Sequence, residues 1–264
     1  MKKRIEKVKF NKKSIDIYFD DQDVLKISEA TFTHFYLYQD KELSLEEINE
    51  ISEYESLNKG KQYVLNLLSK GSYTEKDLLE RLMNKKNMSY KDSLEIISYL
   101  KEHRLIDDQR YLLDYVESLN FKNYGKNKII DKCFLQGFKK EMIDQIVFDD
   151  EEEKQKAEVL LRKYIGNKKY NFNKLKEKAY AFLINQGFDF EICSSTIKIV
   201  DEEYDYSLEN ELLLKEINKY LRMHSVDLTS YEERGKMISS FVRKGYKYED
   251  INKVLKGVND DEIC

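Results

Sequence analysis

Lysines and arginines lie close to tyrosines at several places along the chain, and this combination can bind phosphates and bases or the acidic rim of a protein partner. Each candidate contact residue carries a positive charge or a phenol ring: Arg81, Lys85, Lys86, Arg110, Lys122, Tyr124, Lys126, Lys128, Lys132, Lys168 and Lys169. Any single lysine among them is also compatible with an ordinary solvated helix face. The group from Lys122 to Lys132 is the strongest candidate, because only Asp131 stands against four lysines there.

Two adjacent carboxylates, Asp107 and Asp108, are of the residue type that holds a divalent cation. They follow the apolar pair Leu105 and Ile106 and precede a predicted helix, so we interpret them as an N-cap and a partner of the helix dipole. The three histidines are scattered, and the sequence contains no glycine-rich phosphate loop, nucleophile elbow or HExxH motif. The sequence therefore predicts a non-enzymatic protein that uses no metal or cofactor.

The composition indicates a helical intracellular protein. Among 264 residues proline is absent and glycine occurs 9 times, so the residues that interrupt helices are scarce. Charged residues make up 36% of the chain, yet the formal net charge is only −4, which predicts that any DNA contact is local. The three cysteines are too far apart to indicate disulfides or a zinc site, and neither a signal peptide nor a membrane-spanning run is found. We therefore expect a cytoplasmic protein without a membrane partner.

Hydrophobic spacing divides the chain into a short β segment and a long helical part. Between Ile5 and Ile27 apolar residues follow a period of two, which predicts an antiparallel sheet of two or three strands that packs on the next helices. From Ser44 onward the spacing is helical. Helix starts are predicted where an N-cap residue precedes an acidic residue by three positions, at Ser44, Thr74, Ser89 and Thr229.

Three segments share one order of parts, in which an apolar helix is followed by a glycine and an aromatic residue. The glycines are Gly137, Gly187 and Gly245. A glycine that ends a helix in the left-handed conformation, followed by an apolar residue that folds back onto the last turn, is the Schellman arrangement. Asn87 takes the same place earlier in the chain, and asparagine is the next best residue for that conformation. The spacing indicates a unit of about 50 residues and about three helices that repeats four times.

These patterns predict a mainly α protein, with tandem three-helix repeats of helix-turn-helix type in an elongated array and a small N-terminal antiparallel β module. The predicted divisions are 1–58 for the β module with its connecting helices, and 59–106, 107–150, 151–203 and 204–264 for the four repeats. Acidic runs at 149–153 and 201–203 fall between units, either as solvated connectors or as carboxylates that suit the dipole of a helix N-terminus.

The segment from Tyr73 to Leu82, the block from Tyr99 to Tyr111 with Leu105-Ile106-Asp107-Asp108, and Gly125-Lys126-Asn127-Lys128-Ile129-Ile130 stand in a fixed order before the glycine-aromatic turns. This ordered set resembles the RecX family over roughly residues 63–198, and the N-terminal strands and the fourth unit resemble its longer form in Gram-positive bacteria. Thr74 stands where that family usually has serine, and lysines replace some of its usual arginines.

The resemblance implies a regulator of the RecA recombinase that lies along the groove of the RecA filament on single-stranded DNA, blocks strand exchange and ATP turnover, and promotes filament disassembly. The partner that it implies is the RecA filament. We expect a monomer, and the acidic overall charge predicts that direct contact with single-stranded or double-stranded DNA is weak. The alternative is a stand-alone DNA-binding protein of tandem helix-turn-helix-like units, whose affinity would fall steeply with salt.

Overall fold

The structure is a computed structural model that describes residues 2–224, 228 and 230–261, with side chains described up to residue 256. The chain divides into two compact units, Met1–Leu113 with Gln136–Lys139, and Asp114–Leu135 with Lys140–Cys264. Among the described residues, no helix combines the length and the apolar character needed to cross a lipid bilayer.

The first unit begins with a four-stranded antiparallel sheet in the order β3-β2-β1-β4. Its strands are β1 (Lys2–Phe10), β2 (Ile15–Phe19), β3 (Val24–Ile27) and β4 (Glu42–Ser44). Alternate residues such as Ile5, Ile15 and Ile17 point into a core that is closed by α1 (Glu29–His34) and by Ile51. The fourth strand exceeds the predicted two or three, because a strand of three residues is too short to display a period of two.

Three further helices of the first unit are α2 (Leu45–Leu68), α3 (Glu75–Lys86) and α4 (Tyr90–Glu102), and α5 (Asp108–Asn120) begins in this unit. The predicted N-caps Ser44, Thr74 and Ser89 each accept a hydrogen bond from the backbone three residues later, and Ser44 and Glu47 form a complete capping box. The chain remains helical through Gly60, where a side chain would collide with Met88 and Ile96. Gly60 therefore lets α2 pack closely on the rest of this unit.

The second unit contains most of α6 (Lys126–Gln136), followed by α7 (Lys140–Ile143), α8 (Asp150–Gly166), α9 (Phe172–Asn185), α10 (Phe190–Thr196), α11 (Lys198–Glu203), α12 (Ser207–His224), α13 (Tyr231–Arg243) and α14 (Tyr248–Asp261). The helices α8 to α11 enclose one core and α12 to α14 another. α7 is a single turn, and Val147, which lies between α7 and α8, is 91% exposed.

The repeat array follows from the recurring helix ends. Gly137, Gly187 and Gly245 have φ angles of +93°, +92° and +98°, and Asn87 has φ +53°, as predicted for left-handed turns. Phe188 N–H donates to the Leu183 carbonyl, and the aromatic residue after Gly245 repeats this bond to the carbonyl five positions earlier. We call α3, α6, α9 and α13, which these turns terminate, the middle helices of their repeats.

The predicted helix start at Thr229 lies outside the described residues. In the described part of the chain α13 begins at Tyr231, and Ser230 is its N-cap, with a side chain that accepts from the backbone of Glu233.

Candidate partner-binding surface

The left-handed turn after a middle helix meets the N-terminus of the preceding middle helix, and we call this contact a junction. The closest junction lies in the second unit, between the start of α6 and the turn after α9. Gly125 N–H donates to the Gln186 carbonyl at 2.9 Å, and Asn127 N–H donates to the Gly187 carbonyl at 3.0 Å. A Cβ on Gly125 would lie 2.5 Å from the carbonyl group of Gly187, so backbone touches backbone here.

Two other junctions use side chains. In the first unit the buried Thr74 hydroxyl, at the start of α3, donates to the Gln136 carbonyl at 3.3 Å while it accepts from the Asp77 N–H. In the second unit the side-chain amides of Asn171 and Asn173, at the start of α9, donate to the carbonyls of residues 244 and 245 at 2.9 and 2.6 Å. In each of these junctions a turn therefore contacts a helix N-terminus, but the atoms that form the hydrogen bonds differ.

A carboxylate from the first helix of the following repeat completes each junction. It accepts from the first backbone N–H of the middle helix, which lacks a partner within its own helix. The three pairs are Asp108 with Glu75 N–H at 3.0 Å, Glu153 with Lys126 N–H at 2.8 Å, and Glu209 with Phe172 N–H at 3.0 Å. Glu55 of α2 repeats the arrangement on the Ser28 N–H of the β module, at 2.9 Å.

Burial acts in the same direction on two of these carboxylates, yet their pKa values are shifted in opposite directions. Burial raises the pKa of Asp108 above its ordinary value of 3.8, and the hydrogen bond from Glu75 offsets this only in part. Burial also opposes the ionised form of Glu55, yet hydrogen bonds from Ser28 and Thr31 and the nearby Lys59 outweigh it, so the pKa of Glu55 lies below its ordinary 4.5. The number of donors around each carboxylate decides the direction.

The prediction that the two adjacent aspartates are structural agrees with this geometry, although they serve different helices. Asp107 accepts from the Arg110 N–H at 3.0 Å and so caps the helix that follows it. Asp108 reaches back to α3. Among the described residues, no group of three or more histidine, cysteine or acidic side chains is placed to hold a metal ion.

The strongest sequence candidate forms a compact cluster in the second unit, which we call the Tyr124 cluster: Lys122, Tyr124, Lys126, Lys128 and Lys132. Lys128 and Lys132 are one helical turn apart on α6, and their ammonium groups lie 4.5 and 5.4 Å from the centre of the Tyr124 ring. Lys122 is exposed in the turn before α6. The cluster is thus a half-buried ring with cations above it and beside it.

Two lysines of the Tyr124 cluster are already engaged within the unit. Lys126 forms an ion pair with Asp189, which raises the pKa of Lys126. Lys128 Nζ donates to the Asn185 carbonyl at 3.2 Å and to Gln186 Oε1 at 2.9 Å. Lys122 and Lys132 have no carboxylate within ion-pair distance in the described part of the chain. These two are the cations most available to a partner.

The remaining candidates lie apart from the Tyr124 cluster. In the first unit Arg81 is paired with Asp77 and lies over the ring of Tyr73, while the exposed Lys86 lies over the ring of Tyr63. The other candidates of that unit, Lys85 and Arg110, are exposed. In the second unit Lys168 lies 5.7 Å from the ring centre of Tyr164, and Lys169 beside it is exposed.

Sequence reasoning missed Gln186, Asp189 and Lys156, which hold the Tyr124 cluster in place. Lys156 Nζ donates to the Tyr124 carbonyl at 3.1 Å and forms an ion pair with Glu153. Each of the three lies between 32 and 63 positions in sequence from the residue of the Tyr124 cluster that it contacts, so periodicity gives no sign of the contacts. Superposing the glycine turns of the repeats would have pointed to Gln186, which directly precedes Gly187.

The chain resembles proteins of one family along nearly its whole length. A family model described as the third three-helix domain of RecX matches residues 150–197. Regulatory protein RecX of Streptococcus agalactiae is 30% identical over 258 residues, which cover 96% of this chain and 98% of the relative. Regulatory protein RecX of Lactococcus lactis is 29% identical over 247 residues, 90% of each chain.

A solved structure described as a crystal structure of regulatory protein RecX has the same fold. It superposes with a TM-score of 0.55 at 23% identity and covers 74% of this chain and 98% of its own. Since the 30% identical relative is matched over almost its full length and the repeats agree in fold, the chain belongs to the RecX family of regulatory proteins.

Proposed function

We propose that the chain regulates the RecA recombinase by binding the RecA filament on single-stranded DNA, and that the main result is inhibition of ATP hydrolysis and strand exchange. The observation that carries the proposal is the match to regulatory protein RecX over 98% of the relative's length. A match of that extent includes the sheet module and all four repeats rather than a single helical motif.

The four repeats suit a partner that offers an extended binding site, because tandem units place similar surfaces at regular intervals. We propose the repeat boundaries 59–106, 107–150, 151–203 and 204–264, the Tyr124 cluster as the main contact surface, and Arg81, Lys85, Lys86, Arg110, Lys168 and Lys169 as secondary contacts. The protein acts in the cytoplasm as a monomer in this proposal.

The test is the rate of ATP hydrolysis by RecA on single-stranded DNA while the protein is titrated from zero to a molar excess. We expect the rate to fall as the protein approaches the RecA concentration. A matched titration into DNA without RecA, followed by fluorescence anisotropy, measures direct DNA binding. An unchanged rate at excess protein would contradict the proposal, and tight DNA binding without RecA that weakens steeply with salt would favour a stand-alone DNA-binding protein.

A further inference from the structure

The Tyr124 cluster is built by two repeats, although all five of its residues lie in or just before α6. The turn after α9 supplies the acceptors for Lys128, which are the Asn185 carbonyl and Gln186 Oε1. That turn also accepts from the N–H of Gly125, the residue next to Tyr124. The ring and one of its covering lysines are therefore positioned by residues of the following repeat.

The helix α8 fixes the other side of Tyr124. Lys156 Nζ donates to the Tyr124 backbone carbonyl at 3.1 Å and to Asn120 Oδ1 at 3.0 Å, and it pairs with the almost fully buried Glu153. Glu153 in turn accepts from the Lys126 N–H at 2.8 Å. Because this network is buried, it holds the turn between α5 and α6 in one conformation.

The geometry favours carboxylates over a nucleic-acid strand as the ligand of this surface. Bases bind single-strand sites by stacking on open aromatic faces. The Tyr124 ring is half-buried, and the ammonium groups of Lys128 and Lys132 lie over it, so a stacking base would have to displace them. The ring instead helps to hold the cations in place.

The charge pattern points the same way. A nucleic-acid backbone is bound by a track of several cations, one for each neutralised phosphate. In this cluster Lys126 is neutralised by Asp189 and Lys128 is occupied by Asn185 and Gln186. Only Lys122 and Lys132 of this cluster remain available to a ligand. Two cations suit a small group of carboxylates on a protein surface better than a long phosphate backbone.

We propose that the Tyr124 cluster is a composite surface, positioned by Gln186 of the following repeat, that binds a group of carboxylates on the protein partner. This inference rests on the proposed function, in which that partner is the RecA filament. Lys122 and Lys132 contact the carboxylates. Lys128, which Gln186 holds, lies over the Tyr124 ring beside Lys132 and keeps the ring and Lys132 in place. Gln186 therefore acts through Lys128 and is a positioning residue.

The experiment compares variants of the full chain for binding to RecA filaments on a labelled oligonucleotide and to the same oligonucleotide alone. Lys132→Glu is expected to weaken filament binding by roughly tenfold or more, because it reverses a charge in the contact. Gln186→Ala is expected to weaken filament binding by about threefold to fivefold, because the Lys128 side chain is then no longer held in place. Gln136→Ala is the matched control, since Gln136 occupies the equivalent turn and contributes its backbone carbonyl to the junction.

A double-mutant cycle separates positioning from general destabilisation. If Gln186 acts through Lys128, then Gln186→Ala adds nothing to Lys128→Ala, and the two effects are far from additive. Additive losses would overturn the positioning role, as would a Gln186→Ala variant that binds like wild type. Thermal unfolding of each variant confirms that the fold is retained.

The outcomes distinguish this inference from the proposed function. If Lys132→Glu weakens binding to the bare oligonucleotide by the same factor as binding to the filament, the ligand is nucleic acid and the carboxylate assignment is wrong. If all variants inhibit RecA like wild type, the surface is wrong while the proposed function stands. Wild-type protein that does not bind the filament contradicts the proposed function itself.

Discussion

The junction at α6 and the junction at α3 join the same two parts with different atoms. At α6, Gly125 lies directly against Gly187, and two backbone hydrogen bonds link the repeats. At α3, the hydroxyl of Thr74 stands between the helix start and the turn at Gly137. A backbone contact leaves no room for a side chain, whereas a contact through a hydroxyl tolerates small adjustments.

The difference shows that equivalent glycines in a repeat protein carry unequal structural demands. Gly137 and Gly187 have nearly the same φ, so a side chain added at either position destabilises the fold through left-handed backbone strain. A side chain at Gly187 would also collide with the backbone of α6, whereas a side chain at Gly137 would come closest to the end of the Thr74 side chain. The following changes test this contrast.

The largest effect is expected for Gly187→Ala. Its Cβ would overlap the Lys128 backbone nitrogen and lie 2.9 Å from the Lys128 Cα. We expect the free energy of unfolding to fall by about 2–5 kcal/mol, the sum of left-handed strain and overpacking. For Gly137→Ala, whose Cβ would lie 3.1 Å from Thr74 Oγ1, strain alone predicts about 1–2 kcal/mol. Urea unfolding measures both, and equal losses would refute the contrast.

Gly125→Ala tests the contact between Gly125 and Gly187 by changing the α6 side of it. No left-handed backbone strain is involved, because Gly125 does not have a positive φ. Its Cβ would lie 2.5 Å from the Gly187 carbonyl group, so we expect a loss of about 1–3 kcal/mol from overpacking. Gly166→Ala is the control, since nothing lies within 4 Å of its Cβ and alanine favours helix. That control should leave stability unchanged or raise it by up to about 1 kcal/mol. A Gly125→Ala variant as stable as wild type would show that the backbones can separate.

Thr74→Ala addresses the junction that depends on a side chain. It removes the N-cap of α3 and the donor to Gln136, and we expect a loss of about 1 kcal/mol in the free energy of unfolding. Thr74→Ser keeps the hydroxyl and should recover most of that loss. Chemical denaturation of the two variants decides the point, since equal losses would assign the role to the methyl group instead.

The smallest effect is expected for Asp108→Asn. Because the folded-state pKa of Asp108 is raised, the stability it contributes is complete below its ordinary pKa of 3.8 and is lost as pH rises through the folded value. At pH 7 the asparagine variant should therefore match wild type within about 0.5 kcal/mol or exceed it slightly. Thermal unfolding at pH 3 and pH 7 shows whether the variant gains relative to wild type as pH rises.

Glu55→Gln is the counterpart with the opposite sign. The pKa of Glu55 is lowered, so its contribution is present above 4.5 and is lost as pH falls through the folded value. The variant should lose more stability at pH 7 than at pH 3. The same pH trend in both variants would contradict the opposed pKa directions.

Helix starts and ends were predictable because their causes are local. Ser44, Thr74 and Ser89 cap helices through backbone groups three residues away, and Gly187 is required by its own φ angle. The strand of three residues at 42–44 and the single turn of α7 were not predictable, since neither is long enough to display a hydrophobic period. Contacts between residues that are distant in sequence produce no hydrophobic periodicity, so they could not be predicted in this way.

The candidate surface was predicted in part. The sequence picked out the lysines around Tyr124 by type and spacing, and two of these side chains, Lys128 and Lys132, lie over the ring. It gave no way to separate Lys126, which is paired with Asp189, from Lys132, which is not. A charge count treats the lysines as equal, whereas their availability depends on partners from a different repeat.

The sequence by itself determined the family, the recurrence of helical units and many of the residues that begin and end the helices, because caps, left-handed turns and apolar spacing act over a few neighbouring residues. The tertiary structure alone decided that Asp108 serves α3 rather than its own helix, and that Gln186 and Lys156 position the Tyr124 cluster. Those contacts form when distant segments are brought together by core packing, and their hydrogen bonds then gain strength from burial.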